Sequence, residues 1–105
     1  MAHRLYRTDL GPLFSEGARL LWVAVEAGGG IAAIRGRLNF SSGEMTRLLY
    51  GDRRANLAQA NVCAERLAIP TTAWEQQPSQ PYEPPAARAA RARYQHPAEQ
   101  PAVTA

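Results

Sequence analysis

The chain has 105 residues, of which 46% are apolar, and a formal net charge of +3, so one small globular domain is expected and two would be crowded. Its lone Cys63 excludes an internal disulfide and suits a reducing cytosol. The longest apolar run, Leu20 to Val25, falls far short of the ~18 residues of a membrane span, and the N-terminus lacks a signal-peptide layout, so a cytoplasmic protein with no membrane partner is expected.

All twelve basic residues are arginine, a bias that codon usage in a GC-rich genome produces as readily as selection does. Seven of the eight prolines lie from Pro70 onward. Three regions follow: an arm over 1–14, a helical domain over 15–76 and a tail over 77–105.

In the arm, Gly11-Pro12 interrupts a mixture of Arg4, Tyr6 and Arg7 with Leu5, Leu10, Leu13 and Phe14, apolar side chains available to lie on a core. The periodicity turns helical at Ser15, a suitable N-cap, with Ala18, Leu21 and Val25 on one face. Gly28-Gly29-Gly30 ends that helix, in the manner of a left-handed cap. Ile31, Ile34 and Leu38 mark a second, short helix closed at Asn39, a residue that tolerates the left-handed region.

Ser41 followed by Glu44 is a capping-box pattern that opens a third helix, with Met45, Leu48 and Leu49 inward, Tyr50 half-buried and Gly51 at its end. Asn56 and Gln59 repeat the pattern before a fourth helix striped by Ala60, Cys63 or Ala64, and Leu67. Pro70 stops it, and Thr72 to Glu75 forms a last turn that buries Trp74. No segment alternates with period two, so the fold class is all-α: five short helices with short connections. From Gln77 onward Gln, Pro, Ala and Arg dominate, too poor in apolar anchors to offset ordering entropy, so the tail is expected to be disordered. Ala86 to Tyr94 has helical propensity but is too short to persist alone.

Two short helices joined at Asn39-Phe40-Ser41 have the layout of a helix-turn-helix. The run Gly29-Gly30-Ile31-Ala32-Ala33-Ile34-Arg35-Gly36-Arg37-Leu38-Asn39-Phe40-Ser41 resembles the first motif helix and turn of phage-repressor-type, Cro-like helix-turn-helix regulators. Glu44 to Tyr50 with Gly51-Asp52-Arg53-Arg54 is similar to their recognition helix and the turn after it. Leu67-Ala68-Ile69-Pro70 and Trp74 match their ending. The resemblance spans about 60 residues. It implies a five-helix, lambda-repressor-like domain that binds double-stranded DNA through the major groove as a homodimer, acts as a transcriptional repressor and needs no cofactor.

Carried onto this chain, the resemblance makes Ser42, Gly43, Thr46 and Arg47 the base-facing positions. Arg47 is the strong reader, since its fork can bond guanine O6 and N7 together. Ser41, Arg37, Arg53, Arg54 and Asn56 fall where phosphate contacts occur, with the helix N-terminus at Asn56 adding oriented N–H groups. Ile31 stands where the family has a polar phosphate clamp. Arg35 stands where a small residue lets the helices approach, and Gly36 beside it is expected to supply that room. Residues 35–54 hold five arginines against Glu44 and Asp52, and residues 1–76 hold nine against seven acids, a thin surplus that calls for a dimer or partner.

Other signals are weaker. Arg4 and Arg7 could enter a minor groove, and Arg88, Arg91 and Arg93 could add phosphate affinity. Gly28 to Ala33 matches a dinucleotide fingerprint in letters but follows a helix. His3, His96 and Cys63 show no metal or catalytic spacing, so no metal site, catalytic residue or enzymatic activity is expected. The competing expectation is a helix-turn-helix scaffold without DNA readout, an anti-repressor or adaptor that binds another protein.

Overall fold

Side-chain caps open the three helices that begin at Glu16, Ser42 and Leu57. The computed structural model describes residues 7–93. Helix α1 (Glu16–Ala27) starts at Ser15, whose Oγ accepts the Ala18 N–H at 3.3 Å. It stops at Gly28, but the positive φ angles expected of a glycine cap belong to Gly29 (97°) and Gly30 (110°), the residues that lead into α2 (Ile31–Leu38). Asn39 closes α2 in the left-handed region at φ 59°.

Helix α3 (Ser42–Tyr50) opens on the Ser41/Glu44 capping box and ends at Gly51, φ 73°. A Cβ at Gly51 would lie 2.4 Å from the Phe14 nitrogen, so both the turn and the approach of the preceding segment require glycine. Helix α4 (Leu57–Leu67) opens on the Asn56/Gln59 box and ends at Ala68, which takes a left-handed φ of 59°. A 3-10 turn, Thr71–Glu75, follows Pro70. The fold is all-α, and no strand occurs among the described residues.

Helix α1 is the central element, touching α2, α3, α4 and the 3-10 turn. Its Leu21, Trp22 and Val25 pack with Ile34, Leu38, Met45, Leu48, Leu49, Cys63 and Trp74, all 3% exposed or less. Trp22 satisfies its indole by donating to the Leu49 carbonyl at 2.6 Å. Tyr50, expected to be half-buried, is 1% exposed. Trp22 meets it edge-on at 5.5 Å, and its carbonyl accepts the Gly11 N–H at 2.5 Å, so the segment before α1 covers it. Leu10 and Phe14 of that segment pack against the core.

Leu10–Tyr82 forms one compact unit. Residues 77–82, which composition places in the disordered tail, are held on α1. Ser79 donates its N–H and hydroxyl to the two oxygens of Glu16 at 2.7 and 3.0 Å. The Tyr82 ring stacks on Phe14 and Trp22, with centroids 6.0 and 5.7 Å away, and its hydroxyl donates to Glu26. A single aromatic anchor and a partly buried carboxylate supply the ordering that mean composition does not register. A second unit joins the segment ending at Asp9 to the one beginning at Glu83. Its residues 85–93 are helical, and the Arg91 guanidinium donates to Glu83 at 2.7 Å. The expectations for Arg4 and for the tail beyond residue 93 lie outside the described residues.

Candidate nucleic-acid interface

The connection from α2 to α3 is three residues long, and only Phe40 of the three is buried. Its carbonyl accepts from Arg35 Nη1 at 3.3 Å, so Arg35 braces the turn. Gly36 does not supply the room expected of it: a Cβ there would meet nothing within 4 Å, because the residue faces away from α3. Ile31, at the start of α2, is half-buried against the core.

On α3 the inward side chains are Met45, Leu48 and Leu49. At 100° per residue, the opposite line runs through Gly43 and Arg47. Gly43 has no side chain, and the Arg47 guanidinium lies across it: a Cβ at Gly43 would stand 3.5 Å from Nη1 and 3.8 Å from both Cζ and Nη2. Arg47 is exposed and makes no side-chain hydrogen bond or ion pair among the described residues. Thr46 flanks this line, its hydroxyl donating to the Ser42 carbonyl at 2.8 Å. Ser42 is exposed.

Glu44 would repel a polyanion if it faced outward. Instead, one oxygen accepts the Ser41 N–H at 2.9 Å and the other accepts Gln59 Nε2 at 2.9 Å. These hydrogen bonds, first that of Ser41 and then that of Gln59, hold its carboxyl below the usual range. Ser41 returns the cap by accepting the Glu44 N–H at 3.1 Å. The Glu44–Gln59 bond ties the first turn of α3 to the first turn of α4, so two helix N-termini lie side by side. Gln59 went unremarked in the sequence except as a capping residue. Two successive capping boxes were visible, but their meeting is a tertiary fact.

Asn56 uses Oδ1 to cap Gln59 N–H at 2.8 Å and is otherwise exposed. The turn before it carries Arg53 and Arg54, both exposed and without side-chain partners among the described residues. The Arg53 N–H donates to the Arg47 carbonyl at 3.3 Å, fastening this turn to the end of α3. Arg37 differs from the other expected phosphate ligands. Its Nη2 donates to the Arg66 carbonyl at 3.1 Å, and Arg66 returns a bond to the Arg37 carbonyl at 2.7 Å. The pair caps the ends of α2 and α4 reciprocally, so Arg37 is engaged there and is not grouped with Arg53 and Arg54.

Burial alone raises the Cys63 thiol to about 12, so it stays protonated and unreactive. No cluster of three metal-ligating side chains occurs among the described residues, and none of the described helices is by itself long and apolar enough to cross a membrane. Comparison with protein-family models, curated proteins and solved structures finds no match to this chain.

Proposed function

We propose that the α2–α3 pair is a helix-turn-helix of the phage-repressor type and that the protein is a sequence-specific DNA-binding regulator. The observation that carries this reading is the outward line of α3. It presents a guanidinium without a hydrogen bond among the described residues over a bare glycine, while the neighbouring carboxylate of Glu44, which still attracts Arg47, accepts from Gln59. A helix of this width enters a major groove, and an arginine fork matches guanine O6 and N7. Arg53, Arg54 and the N-terminus of α4 stand beside it as phosphate ligands.

With a surplus of only two charges over residues 1–76, one copy binds weakly. A two-fold dimer reading a pseudo-palindrome, with half-sites about 34 Å apart, supplies the remaining affinity. Repression follows from occupancy of such an operator.

Fluorescence anisotropy on duplex DNA tests the reading. Log K is expected to fall linearly with log salt. Arg47→Ala is expected to lose sequence preference, whereas Arg54→Ala weakens all sequences alike and reduces the slope by about 1. Absence of binding at about 50 mM salt, where phosphate contacts are strongest, overturns the proposal.

A second reading, a protein-interaction module, is favoured by Leu57. This residue is 75% exposed on the first turn of α4, beside a groove of about 340 Å³ lined by Ala55, Ala60 and Trp74. Under that reading Leu57→Ser abolishes partner capture, and Arg47→Ala leaves it intact.

A further inference from the structure

Beyond Tyr82 the chain carries a second concentration of positive charge. Residues 83–93 hold Arg88, Arg91 and Arg93 against one acid, a surplus of two that equals the surplus of residues 1–76. The helix over residues 85–93 starts where the Ala87 and Arg88 N–H groups donate to the Pro84 carbonyl at 2.9 and 3.0 Å, which leaves Glu83 just ahead of its first turn. Arg88 and Arg91, three residues apart, share a side of that helix, and both reach back to Glu83. Arg88 Nε donates to the Glu83 carbonyl at 3.0 Å. Arg91 closes its fork on the carboxylate: Nη2 donates to Oε1 at 2.7 Å, and Nε lies 3.2 Å from both oxygens. Arg93 falls about 200° from Arg91, on the opposite side.

A carboxylate and a phosphate present the same two-oxygen edge to a guanidinium fork, so Glu83 fills the Arg91 fork as a phosphate of a duplex backbone would. The pair is also open to exchange. The side chains of Arg91 and Glu83 are 57% and 39% exposed, and an ion pair so accessible to water holds little free energy against a competitor. A duplex is a strong competitor, because its closely spaced phosphates release counterions when cations bind. We propose that Glu83 is an internal stand-in for a DNA phosphate: it occupies the Arg91 fork in the free protein and yields it to the backbone of a duplex, which makes residues 83–93 a second, sequence-independent contact that is restrained at rest. This rests on the DNA-binding reading above and adds a contact outside the helix-turn-helix. Glu83 follows Tyr82 directly in the chain, so once α3 is docked the second contact is made by a tethered segment and not by a separate molecule.

The restraint is read by fluorescence anisotropy of the full chain with a duplex of arbitrary sequence, between roughly 50 and 200 mM salt. Glu83→Gln is expected to bind more tightly than the wild type. Its slope of log K against log salt is steeper by about 1, so its advantage grows about 3- to 4-fold from the upper salt limit to the lower. Arg91→Ala is expected to cancel that gain when added to Glu83→Gln but to change the wild type little, whereas Arg93→Ala acts equally in both backgrounds. If Glu83 only caps the helix, Glu83→Gln frays residues 85–93 without tightening binding, and the inference falls. An unchanged slope in Glu83→Gln, or an Arg91→Ala effect of the same size in both backgrounds, overturns it as well. So does a larger gain toward polyglutamate than toward DNA, which assigns the fork to an acidic polypeptide. Each of these results leaves the α3 reading standing where Arg47→Ala still removes sequence preference. Absence of duplex binding by wild type and Glu83→Gln alike at the lower salt limit overturns both.

Discussion

Glu44 shows how one side chain can be both liability and support. Its carboxylate accepts from the Ser41 backbone and from Gln59 at the same time, which keeps its charge off the outward line of α3. Glu44→Ala is expected to lower the urea midpoint, because the Ser41 N–H and the Gln59 amide both lose their acceptor. Glu44→Gln keeps an acceptor for Ser41 and retains most of that stability. Glu16 makes a pH-dependent contribution of the same kind. Hydrogen bonding from Arg19, at 2.8 and 2.5 Å, and from Ser79 holds its carboxyl down to about 2 in the folded chain. A depressed folded value contributes stability in full above the unfolded value near 4.5 and loses it as pH falls toward 2. Urea midpoints measured from pH 7 to pH 2.5 should therefore fall in the wild type. In Glu16→Gln they start lower, by on the order of 2 kcal/mol, and lack this component of the fall.

At the level of elements, two helical glycines behave in opposite ways. Gly17 faces the Trp74 ring, and an added Cβ would stand 2.3 Å from its Cδ2. Gly17→Ala is expected to destabilise by about 1–3 kcal/mol despite its better helix propensity, because the indole is packed on all sides. Gly36 on α2 faces open space, so Gly36→Ala is expected to stabilise by roughly 0.5–1 kcal/mol. Thermal melts of the two variants separate the cases by sign. Helix limits were largely legible because local chemistry sets them: Ser15 and the Ser41/Glu44 and Asn56/Gln59 boxes cap through their side chains, and Asn39 and Gly51 through the left-handed backbone they tolerate. Ala68 was not legible. An alanine in the left-handed region carries no signal, and α4 ends there because Ile69 must return its side chain to the core, where it is 3% exposed. The engagement of Arg37 by Arg66 was equally hidden, since it depends on two helix C-termini meeting 29 residues apart in sequence.

For the molecule as a whole, the unit Leu10–Tyr82 is longer than its helical periodicity suggests at both ends. Tyr82 closes one end by stacking between Phe14 and Trp22. Tyr82→Ala should lower stability by at least the roughly 0.5–1.5 kcal/mol that such aromatic pairs add beyond area burial, read as a lower urea midpoint. Averaged composition hid this anchor because five of the six residues from Gln77 to Tyr82 are Gln, Pro or Ser.

The composition of the outward face was legible residue by residue. Its arrangement was legible only in part: Gly43 and Arg47 share a face at i,i+4 spacing and Ser41 engages Glu44 locally, but the bond from Gln59 that completes the withdrawal of Glu44 is tertiary. The most direct check of a DNA-reading α3 is a titration of the isotopically labelled chain with duplex DNA, followed by amide NMR shifts. If α3 is the reading helix, the largest shifts fall on residues 41–47 and 53–56, and the buried face of α1 stays silent. Shifts centred instead on Leu57, Thr71 and Trp74, or none at all at low salt, would contradict it.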